Sequence, residues 1–250
     1  MVESRRRSGR LASVPTSRNV KVSAGLVALF VVVVAAVAIL VGGGDDGSDA
    51  PSERASSTTT TATSETSADA ATLPPVVTDD PRLLGAPGSS GVTFTEFLDF
   101  ECEGCRAAYP AVEELRKAYA GRVTFNIRYF PLPGHQNSRP AAIAVEAASQ
   151  QGKLEEMYRR MFETQAEWGE KRESQAGTFR GFAEDLGLDM KRYDAAVADP
   201  ATLRRVESDF AAGSALGVQG TPTFFVNERR IDPRSVDDLR NEIDAAIAGS

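Results

Sequence analysis

Cysteine and histidine are scarce in this 250-residue chain, which has two cysteines and one histidine. A disulfide-stapled secreted fold needs several distant cysteine pairs, and a structural zinc site needs about four cysteine or histidine ligands. Cys102 and Cys105 enclose only two residues, and closing so short a loop stabilises a fold by about 2 kcal/mol. The pair therefore indicates thiol–disulfide chemistry, with an inert disulfide or a zinc half-site as the structural alternatives.

The chain also lacks a glycine-rich nucleotide-binding motif and any internal repeat. Its formal net charge of −7 disfavours a nucleic-acid partner, because nucleic acids bind basic surfaces. We predict that the protein uses no cofactor, no metal ion and no nucleic acid.

One long stretch without charge runs from residue 22 to residue 41. As a helix it would be roughly 30 Å long, which matches the hydrocarbon core of a bilayer. Residues 1–21 carry six basic side chains and one acidic side chain, and three aspartates follow the apolar stretch. This bias predicts a single-pass protein of the cell membrane, with a cytoplasmic basic tail (1–21), a transmembrane helix (22–41) and an extracytoplasmic remainder. A cleaved signal peptide is the alternative, which the long apolar run and the lack of a clean cleavage site disfavour.

Residues 42–85 are dominated by glycine, serine, threonine, alanine, aspartate and proline. Few large apolar side chains occur there, so we predict a disordered linker. A flexible coil of this length has an end-to-end distance of roughly 35–40 Å, enough to tether a folded domain near the membrane.

Residues 86–250 have the composition and size of one globular domain. Residues 92–100 alternate as a strand, the cysteines then open a helix that ends at Gly121, and residues 123–130 form a second strand. A strand–helix–strand unit of this length predicts a parallel pair joined by a crossover.

The second half of this domain is predicted to be helical before it returns to the sheet. A helical insertion spans about 138–199, and a further helix begins at Pro200 after the capping residue Asp199. A hairpin follows at 223–231, and Ser235 with Asp238 forms a capping box for the last helix. The pattern predicts an α/β fold with a mixed sheet and helices on both sides.

The order of these elements resembles the thioredoxin fold in its DsbA-like form. The resemblance rests on a strand that ends in Phe-Glu-Cys-Glu-Gly-Cys, the helical insertion, the later Gly-Thr-Pro-Thr motif, the hairpin and the final helix. It covers residues 86–250 and implies a DsbA-like thiol–disulfide oxidoreductase. The segment Phe-Pro-Leu-Pro-Gly-His-Gln-Asn-Ser at 130–138 is also similar to one common in exported members of the group.

The two cysteines are predicted to differ in reactivity. Cys102 would lie at the N-terminus of a helix, where free N–H groups and the macrodipole favour the thiolate, so we predict that it is the nucleophile. Cys105, one turn into the helix, would be shielded and would resolve the mixed disulfide.

Three further positions carry predicted roles. Glu96 alternates onto the apolar face of its strand, and the resemblance implies a buried acid that exchanges protons with Cys105. A bulged strand that lets Glu96 reach solvent is the alternative. Thr221 and Pro222 resemble the cis-proline loop of the family, which implies that the Thr221 backbone pairs with an extended substrate. A trans-proline entering a strand is the alternative there.

The residues between the cysteines depart from the family pattern. Glu103 and Gly104 replace the Pro-His of the well-known oxidants, and we interpret them as redox-tuning residues. An acid beside the nucleophile disfavours its thiolate, which predicts a less oxidising disulfide. His135 invites a cysteine–histidine nucleophile hypothesis, but its Pro-, Gly-, Asn- and Ser-rich surroundings indicate a surface loop instead.

Together these features predict an extracytoplasmic enzyme that forms disulfides in exported proteins. The predicted partners are exported cysteine-containing proteins and a membrane redox partner that recycles the cysteines. A membrane-anchored thiol reductase or disulfide isomerase, and a non-catalytic tethered binding module, are the alternatives.

Overall fold

A computed structural model of the chain describes residues 73–250. Within this part, five strands form one sheet: β1 (Arg82–Leu83), β2 (Thr93–Leu98), β3 (Thr124–Tyr129), β4 (Thr223–Val226) and β5 (Arg229–Ile231). The helices of the same part are α1 (Glu103–Ala118), α2 (Ser138–Ser149), α3 (Leu154–Trp168), α4 (Ala176–Asp185), α5 (Met190–Ala198), α6 (Pro200–Ala215) and α7 (Val236–Ala248).

The strands lie in the order β1-β3-β2-β4-β5. β2 and β3 are parallel, with Glu96 opposite Ile127, and α1 connects them. The other neighbouring strands are antiparallel. The sheet is therefore mixed, and the predicted parallel crossover is confirmed.

Both faces of the sheet are covered. Phe94 and Leu98 of β2 face a large core, to which α1, α2, α3 and α7 all contribute buried residues. Phe97 faces the opposite side and packs in a smaller cluster with Phe130 and Phe225. Helix α6 comes so close to this second face that a Cβ atom at Gly213 would lie 2.8 Å from the Phe130 ring. Because both faces of the sheet are buried, β2 has an apolar residue, Phe97, at a position where simple alternation predicts a solvent-exposed side chain.

Local capping signals fix several helix starts. The Asp199 side chain accepts a hydrogen bond from the Ala201 N–H group, and Pro200 begins α6. Ser235 and Asp238 form a reciprocal capping box at the start of α7. These features confirm the helix starts that the sequence predicts.

The domain begins earlier than predicted. Val76 is fully buried, and its N–H group donates to the Glu228 carboxylate at 3.0 Å. The Arg128 guanidinium donates to the carbonyl oxygens of Pro75 and Val76, and β1 pairs with β3. The prediction that the linker extends to residue 85 is therefore wrong, because these backbone contacts leave no mark on composition.

The remaining N-terminal predictions concern other residues. The basic tail (1–21), the transmembrane helix (22–41) and the linker up to residue 72 lie outside the described part of the chain. Among the helices of residues 73–250, none combines the length and the apolar character needed to cross a membrane.

Candidate dithiol active site

The two cysteines lie where β2 gives way to α1. The Cys102 N–H group donates to the Asp99 carbonyl oxygen at 3.2 Å, which closes a tight turn, and Cys102 is the N-cap residue of α1. Both cysteines are free thiols, Cys102 at 8% exposure and Cys105 at 0%. Both residues are buried, but Cys102 keeps a small exposed area and Cys105 keeps none.

The loop that contains Thr221 and Pro222 lies against Cys102. The Thr221–Pro222 peptide bond is cis, as the resemblance implies. The Cys102 thiol donates to the Thr221 carbonyl oxygen at 3.4 Å. The fold therefore brings together two motifs that are more than a hundred residues apart in the sequence.

The two thiols ionise very differently. A hydrogen bond from the Cys105 thiol lowers the pKa of Cys102 from its ordinary value of 9.0 to about 5, and the N–H groups of Cys105 and Gly104 act in the same direction against burial. Burial raises the pKa of Cys105 well above its ordinary value, and its hydrogen bond to Cys102 and the charge of Glu96 raise it further. Cys102 is consequently the better nucleophile at neutral pH.

Glu96 is buried on the sheet beneath α1. It is 2% exposed, and its Oε2 atom has no hydrogen-bond partner. Burial, together with the charges of Cys102 and Glu113, raises the pKa of Glu96 from 4.5 to about 8. The predicted burial is confirmed, so the bulged-strand alternative fails. A carboxyl group with this pKa can exchange a proton with a thiol near neutral pH.

The residues between the cysteines form the rim of the site. Glu103 is exposed at the first position of α1. A Cβ atom at Gly104 would lie 3.4 Å from both Cys102 Sγ and Pro222 Cδ. A side chain at position 104 would therefore contact the Cys102 sulfur and the cis-proline loop together.

Gln165 of α3 holds the cysteine loop, a role that the sequence does not reveal. Its side chain is buried, and its Nε2 atom donates to the carbonyl oxygens of Phe100 at 2.8 Å and Cys102 at 2.9 Å. The helical insertion is thereby attached to the turn that presents the nucleophile. The signal in the sequence is a polar residue on the apolar stripe of a helix.

Two buried acids beside Cys102 also escape prediction. Glu101 accepts hydrogen bonds from the N–H groups of Asn137 at 2.6 Å and Glu170 at 3.1 Å. Asp99 accepts from the Leu132 N–H group at 3.0 Å and lies 2.6 Å from His135 Nδ1. Both acids therefore attach neighbouring loops to the cysteine turn.

His135 differs from the surface residue that its neighbours indicate. Its side chain is 20% exposed and is paired with the fully buried carboxylate of Asp99. Burial lowers the pKa of His135, but the hydrogen bond and charge of Asp99 outweigh it, so the net pKa is raised. His135 thus lies in a loop, as its neighbours indicate, and its contact with Asp99, which those neighbours do not reveal, fixes that loop.

A groove of about 450 Å³ opens beside the cis-proline loop. Its lining includes Pro222, Phe224, Ile231, Arg230 and Arg234.

Within residues 73–250, no three cysteine, histidine, aspartate or glutamate side chains lie close enough together to hold a metal ion.

Solved structures share this architecture. A thioredoxin-like oxidoreductase from Silicibacter pomeroyi DSS-3 is 28% identical, with a TM-score of 0.59 over 70% of this chain and 98% of that chain. BdbD from Bacillus subtilis, in its oxidised form, is 21% identical, with a TM-score of 0.59 over 68% of this chain and 94% of that chain. Alpha-DsbA1 from Wolbachia pipientis is 18% identical, with a TM-score of 0.59 over 71% and 94%. At their lower identities, the last two show a shared fold.

Curated relatives match over part of their length. A protein of Herminiimonas arsenicoxydans named Na(+)/H(+) antiporter NhaA is 35% identical over 63% of this chain, and one of Salinispora tropica named Na(+)/H(+) antiporter NhaA 3 is 35% identical over 70%. The chain spans about a quarter of the length of these relatives, and the transport activity that their names state belongs to them. A family model described as Thioredoxin matches residues 78–245. The chain therefore belongs to the thioredoxin family, and its structural neighbours are DsbA-family thiol–disulfide oxidoreductases.

Proposed function

We propose that this protein is a membrane-anchored, extracytoplasmic thiol–disulfide oxidoreductase that forms disulfides in exported proteins. The observation that carries the proposal is the asymmetry of the dithiol: Cys102 is acidic, partly exposed and beside the cis-proline loop, whereas Cys105 is fully buried. This arrangement supports reversible exchange, because one sulfur meets the substrate and the other closes the reaction.

The reaction balances within the dithiol. A substrate thiolate attacks Cys102 Sγ, the bond between Cys102 and Cys105 breaks, and the leaving Cys105 thiolate takes a proton from Glu96. A second substrate thiolate then attacks the substrate sulfur of the mixed disulfide, and Cys102 leaves as a thiolate. The substrate loses two electrons and the dithiol gains two. A membrane redox partner of the quinone-linked or thiol class would return the pair to the disulfide.

The lowered pKa of Cys102 favours disulfide donation over reduction. A stabilised thiolate stabilises the reduced enzyme, which makes the disulfide more oxidising. The hydrogen bond from the Cys105 thiol is the largest cause of this lowered pKa, and the N–H groups of Cys105 and Gly104 add to it against burial. Disulfide donation is therefore the direction that we propose.

Substrates would bind as extended segments along the cis-proline loop. The groove beside Pro222 offers apolar contacts from Phe224 and Ile231. Backbone pairing with the Thr221 loop would accept many sequences, which suits an enzyme that acts on diverse exported proteins.

The decisive experiment replaces each cysteine separately. Cys102→Ser should abolish oxidation of a reduced cysteine-containing protein, because it removes the attacked sulfur. Cys105→Ser should instead accumulate mixed disulfides with exported proteins, visible as bands that a reductant dissolves. Full activity in the Cys102→Ser variant would refute the proposal, and loss of both cysteines without any phenotype would favour a binding module.

The redox state of the dithiol in cells tests the direction. Alkylation with a mass tag after acid quenching should find the pair mostly oxidised for a disulfide donor. A mostly reduced pair would support the reductase or isomerase alternative.

Topology is tested separately. A reporter that functions only outside the cytoplasm should be active when fused after Gly44. Activity restricted to a cytoplasmic reporter at the same position would reverse the proposed orientation.

A further inference from the structure

The main chain of Asp99 contacts both cysteines. Its N–H group donates a hydrogen bond to Cys105 Sγ at 3.5 Å, and its carbonyl oxygen accepts one from the Cys102 N–H group at 3.2 Å. Asp99 follows directly after β2 and is buried, so water does not compete for these contacts. One residue therefore joins the sulfur that closes the reaction to the turn that presents the nucleophile.

Three donors fix the side chain of Asp99. Its Oδ1 atom accepts from the Glu101 N–H group at 2.8 Å, and its Oδ2 atom accepts from the Leu132 N–H group at 3.0 Å. The third donor is His135 Nδ1, which lies 2.6 Å from Oδ2. Because a carboxylate can only accept, the proton of this bond belongs to Nδ1. His135 is the one side chain among the three donors, so it is the anchor that a substitution can remove.

The loop between β3 and α2 holds His135 against Asp99. The His135 N–H group donates to the Leu132 carbonyl oxygen at 3.1 Å, and the ring is 20% exposed. Its Nε2 atom points away from Asp99 and lies 3.9 Å from the carboxylate of Glu170. His135 thus connects this loop to the residue that contacts the Cys105 sulfur.

We propose that the Asp99 N–H group stabilises the thiolate that Cys105 becomes during disulfide exchange, and that His135 is a positioning residue that keeps this donor in place. The inference rests on the proposed function and adds two groups to its resolution step. In that step the proton of Cys105 goes to the Glu96 carboxylate, and the Cys105 thiolate attacks Cys102 Sγ of a mixed disulfide. The bond between the two cysteines forms, and the bond to the substrate sulfur breaks. The substrate leaves as a thiolate with the electron pair of that bond.

A buried thiolate at Cys105 needs such a donor. Burial raises the pKa of Cys105 well above its ordinary value, Cys102 and Glu96 raise it further, and the hydrogen bond from Asp99 acts in the opposite direction. A fixed N–H group aimed at the atom where charge develops lowers the barrier, as it does in an oxyanion hole. Cys105 is uncharged in both the dithiol and the disulfide. The donor therefore acts on the rate of exchange far more than on the equilibrium.

The experiment follows oxidation of the reduced full-length protein by glutathione disulfide. Rapid acid quenching separates the attack of Cys102, which forms the mixed disulfide with glutathione, from its resolution by Cys105. His135→Leu keeps a side chain of similar size but removes the donor to Asp99. Resolution should slow about tenfold, because outright loss of a fixed donor costs roughly 10²–10³-fold and this variant loosens the donor without removing it. Attack by Cys102 and the redox potential in glutathione buffers should not change.

Matched variants isolate the hydrogen bond. His135→Asn places an amide N–H group near the position of Nδ1 without a titratable ring, and it should restore most of the resolution rate. Glu170→Gln removes the charge beside Nε2 and should resolve at the wild-type rate, since that side chain is 58% exposed and does not contact Asp99. If His135→Leu does not fold, His135→Gln takes its place, because its amide group overlies Nε2 and faces Glu170.

The ratio of the two rates decides the outcome, because an unfolded fraction would lose attack and resolution together. A wild-type ratio in His135→Leu would overturn the proposal, whether both rates are unchanged or both are slowed equally. Resolution as slow in His135→Asn as in His135→Leu would also overturn it, since the donated hydrogen bond would then have no effect. A wild-type protein that forms no mixed disulfide with glutathione would overturn the proposed function instead.

Discussion

Two carboxylates that are buried against opposite faces of the central sheet, Glu96 on one and Asp209 on the other, differ in their pairing. Asp209 accepts hydrogen bonds from Arg128 Nε at 2.7 Å and from the Tyr129 N–H group at 3.2 Å, and it pairs with Arg205 at 2.6 Å. Glu96 Oε2 has no partner at all. Both residues are 2% exposed or less. Glu96 and Asp209 are therefore equally buried, and only their pairing differs.

The buried tyrosines repeat this difference. The Tyr129 hydroxyl donates to Glu146, which also forms a two-point ion pair with Arg82, whereas the Tyr158 hydroxyl has no partner. Paired buried charges hold a fold in register, while an unpaired carboxyl keeps a raised pKa and remains ready to exchange a proton. We therefore expect the paired carboxylates to hold the structure and the unpaired Glu96 to exchange protons with the dithiol.

The strongest test of the comparison is the pH dependence of stability in the disulfide form, where no cysteine titrates. Burial is the largest of the causes that raise the pKa of Glu96 from 4.5 to about 8 in the dithiol form, and it persists in the disulfide form. Glu96 therefore gives stability that is fully present below pH 4.5 and is lost as the pH rises through its raised folded-state pKa. The loss should be at most on the order of 5 kcal/mol in the unfolding free energy. Glu96→Leu should remove this slope, as measured by denaturant unfolding at each pH. Equal slopes in both proteins would mean that Glu96 is stabilised by an interaction that we have not identified.

Reduced protein should show an opposing contribution. The lowered pKa of Cys102 gives stability that is present above its unfolded-state pKa near 9 and is lost as the pH falls through about 5. The pH slopes of Glu96 and Cys102 therefore oppose each other in the dithiol form. Reduced Glu96→Leu should accordingly gain stability as the pH rises.

Breaking the buried ion pair between Asp209 and Arg128 should have the second-largest effect on stability. Asp209→Asn leaves the buried Arg128 guanidinium without its counter-charge, which should lower the unfolding free energy by about 3–5 kcal/mol. The alkylation pKa of Cys102 should stay where it is, since the pair lies on the opposite face. Glu207→Gln, an exposed neighbour on α6 that pairs loosely with Arg139, is the control and should change stability by less than about 1 kcal/mol. A shifted Cys102 pKa in Asp209→Asn would show that the two faces are coupled.

Sequence reasoning recovers the parts of the site that local patterns encode. The cysteines sit at a strand-to-helix junction that periodicity reveals, and alternation places Glu96 on the apolar face of β2. Helix starts such as Pro200 follow from caps within four residues. These signals involve residues that are close in sequence, so they can be recognised without knowledge of the tertiary structure.

The rest of the site depends on contacts between distant residues. Gln165 reaches the carbonyl of Cys102 across 63 positions of sequence, and His135 finds Asp99 across 36. Neither partner is implied by the neighbours of the other. The same limit explains why the sequence predicts a linker around Val76. The hydrogen bonds that Arg128 and Glu228 form with its backbone join residues far apart in the chain.

Val76 offers a smaller test on the paired side of the sheet. It packs with Phe97, Phe130 and Phe225, so Val76→Ala should lower the unfolding free energy by about 2 kcal/mol through lost burial and a residual cavity. Urea unfolding measures the loss, and the exposed Leu73→Ala serves as the control. If Val76→Ala lowered the unfolding free energy no more than Leu73→Ala, the segment around Val76 would belong to the linker, as the sequence predicts.

The smallest predicted effect concerns Glu103 and Gly104, which separate the two cysteines. Replacing them by proline and histidine should make the disulfide more oxidising. Proline suits the first position of α1, and its introduction removes the Glu103 charge that repels the Cys102 thiolate. A side chain at position 104 begins 3.4 Å from Cys102 Sγ, so a histidine there can donate a hydrogen bond to the sulfur or carry a positive charge beside it.

Both changes stabilise the reduced form, and for this two-electron couple about 1.4 kcal/mol corresponds to about 30 mV. We expect a rise of a few tens of millivolts, measured by equilibration with glutathione redox buffers, together with a lower alkylation pKa for Cys102. Gly104→Ala, which adds only the Cβ atom, controls for contact with Pro222 and should leave the potential nearly unchanged. An unchanged potential in the double variant would mean that the hydrogen bonds from Cys105 and the N-terminus of α1 already set the redox poise. The redox potential would then be set by buried groups, and Glu103 and Gly104 would serve substrate contact alone.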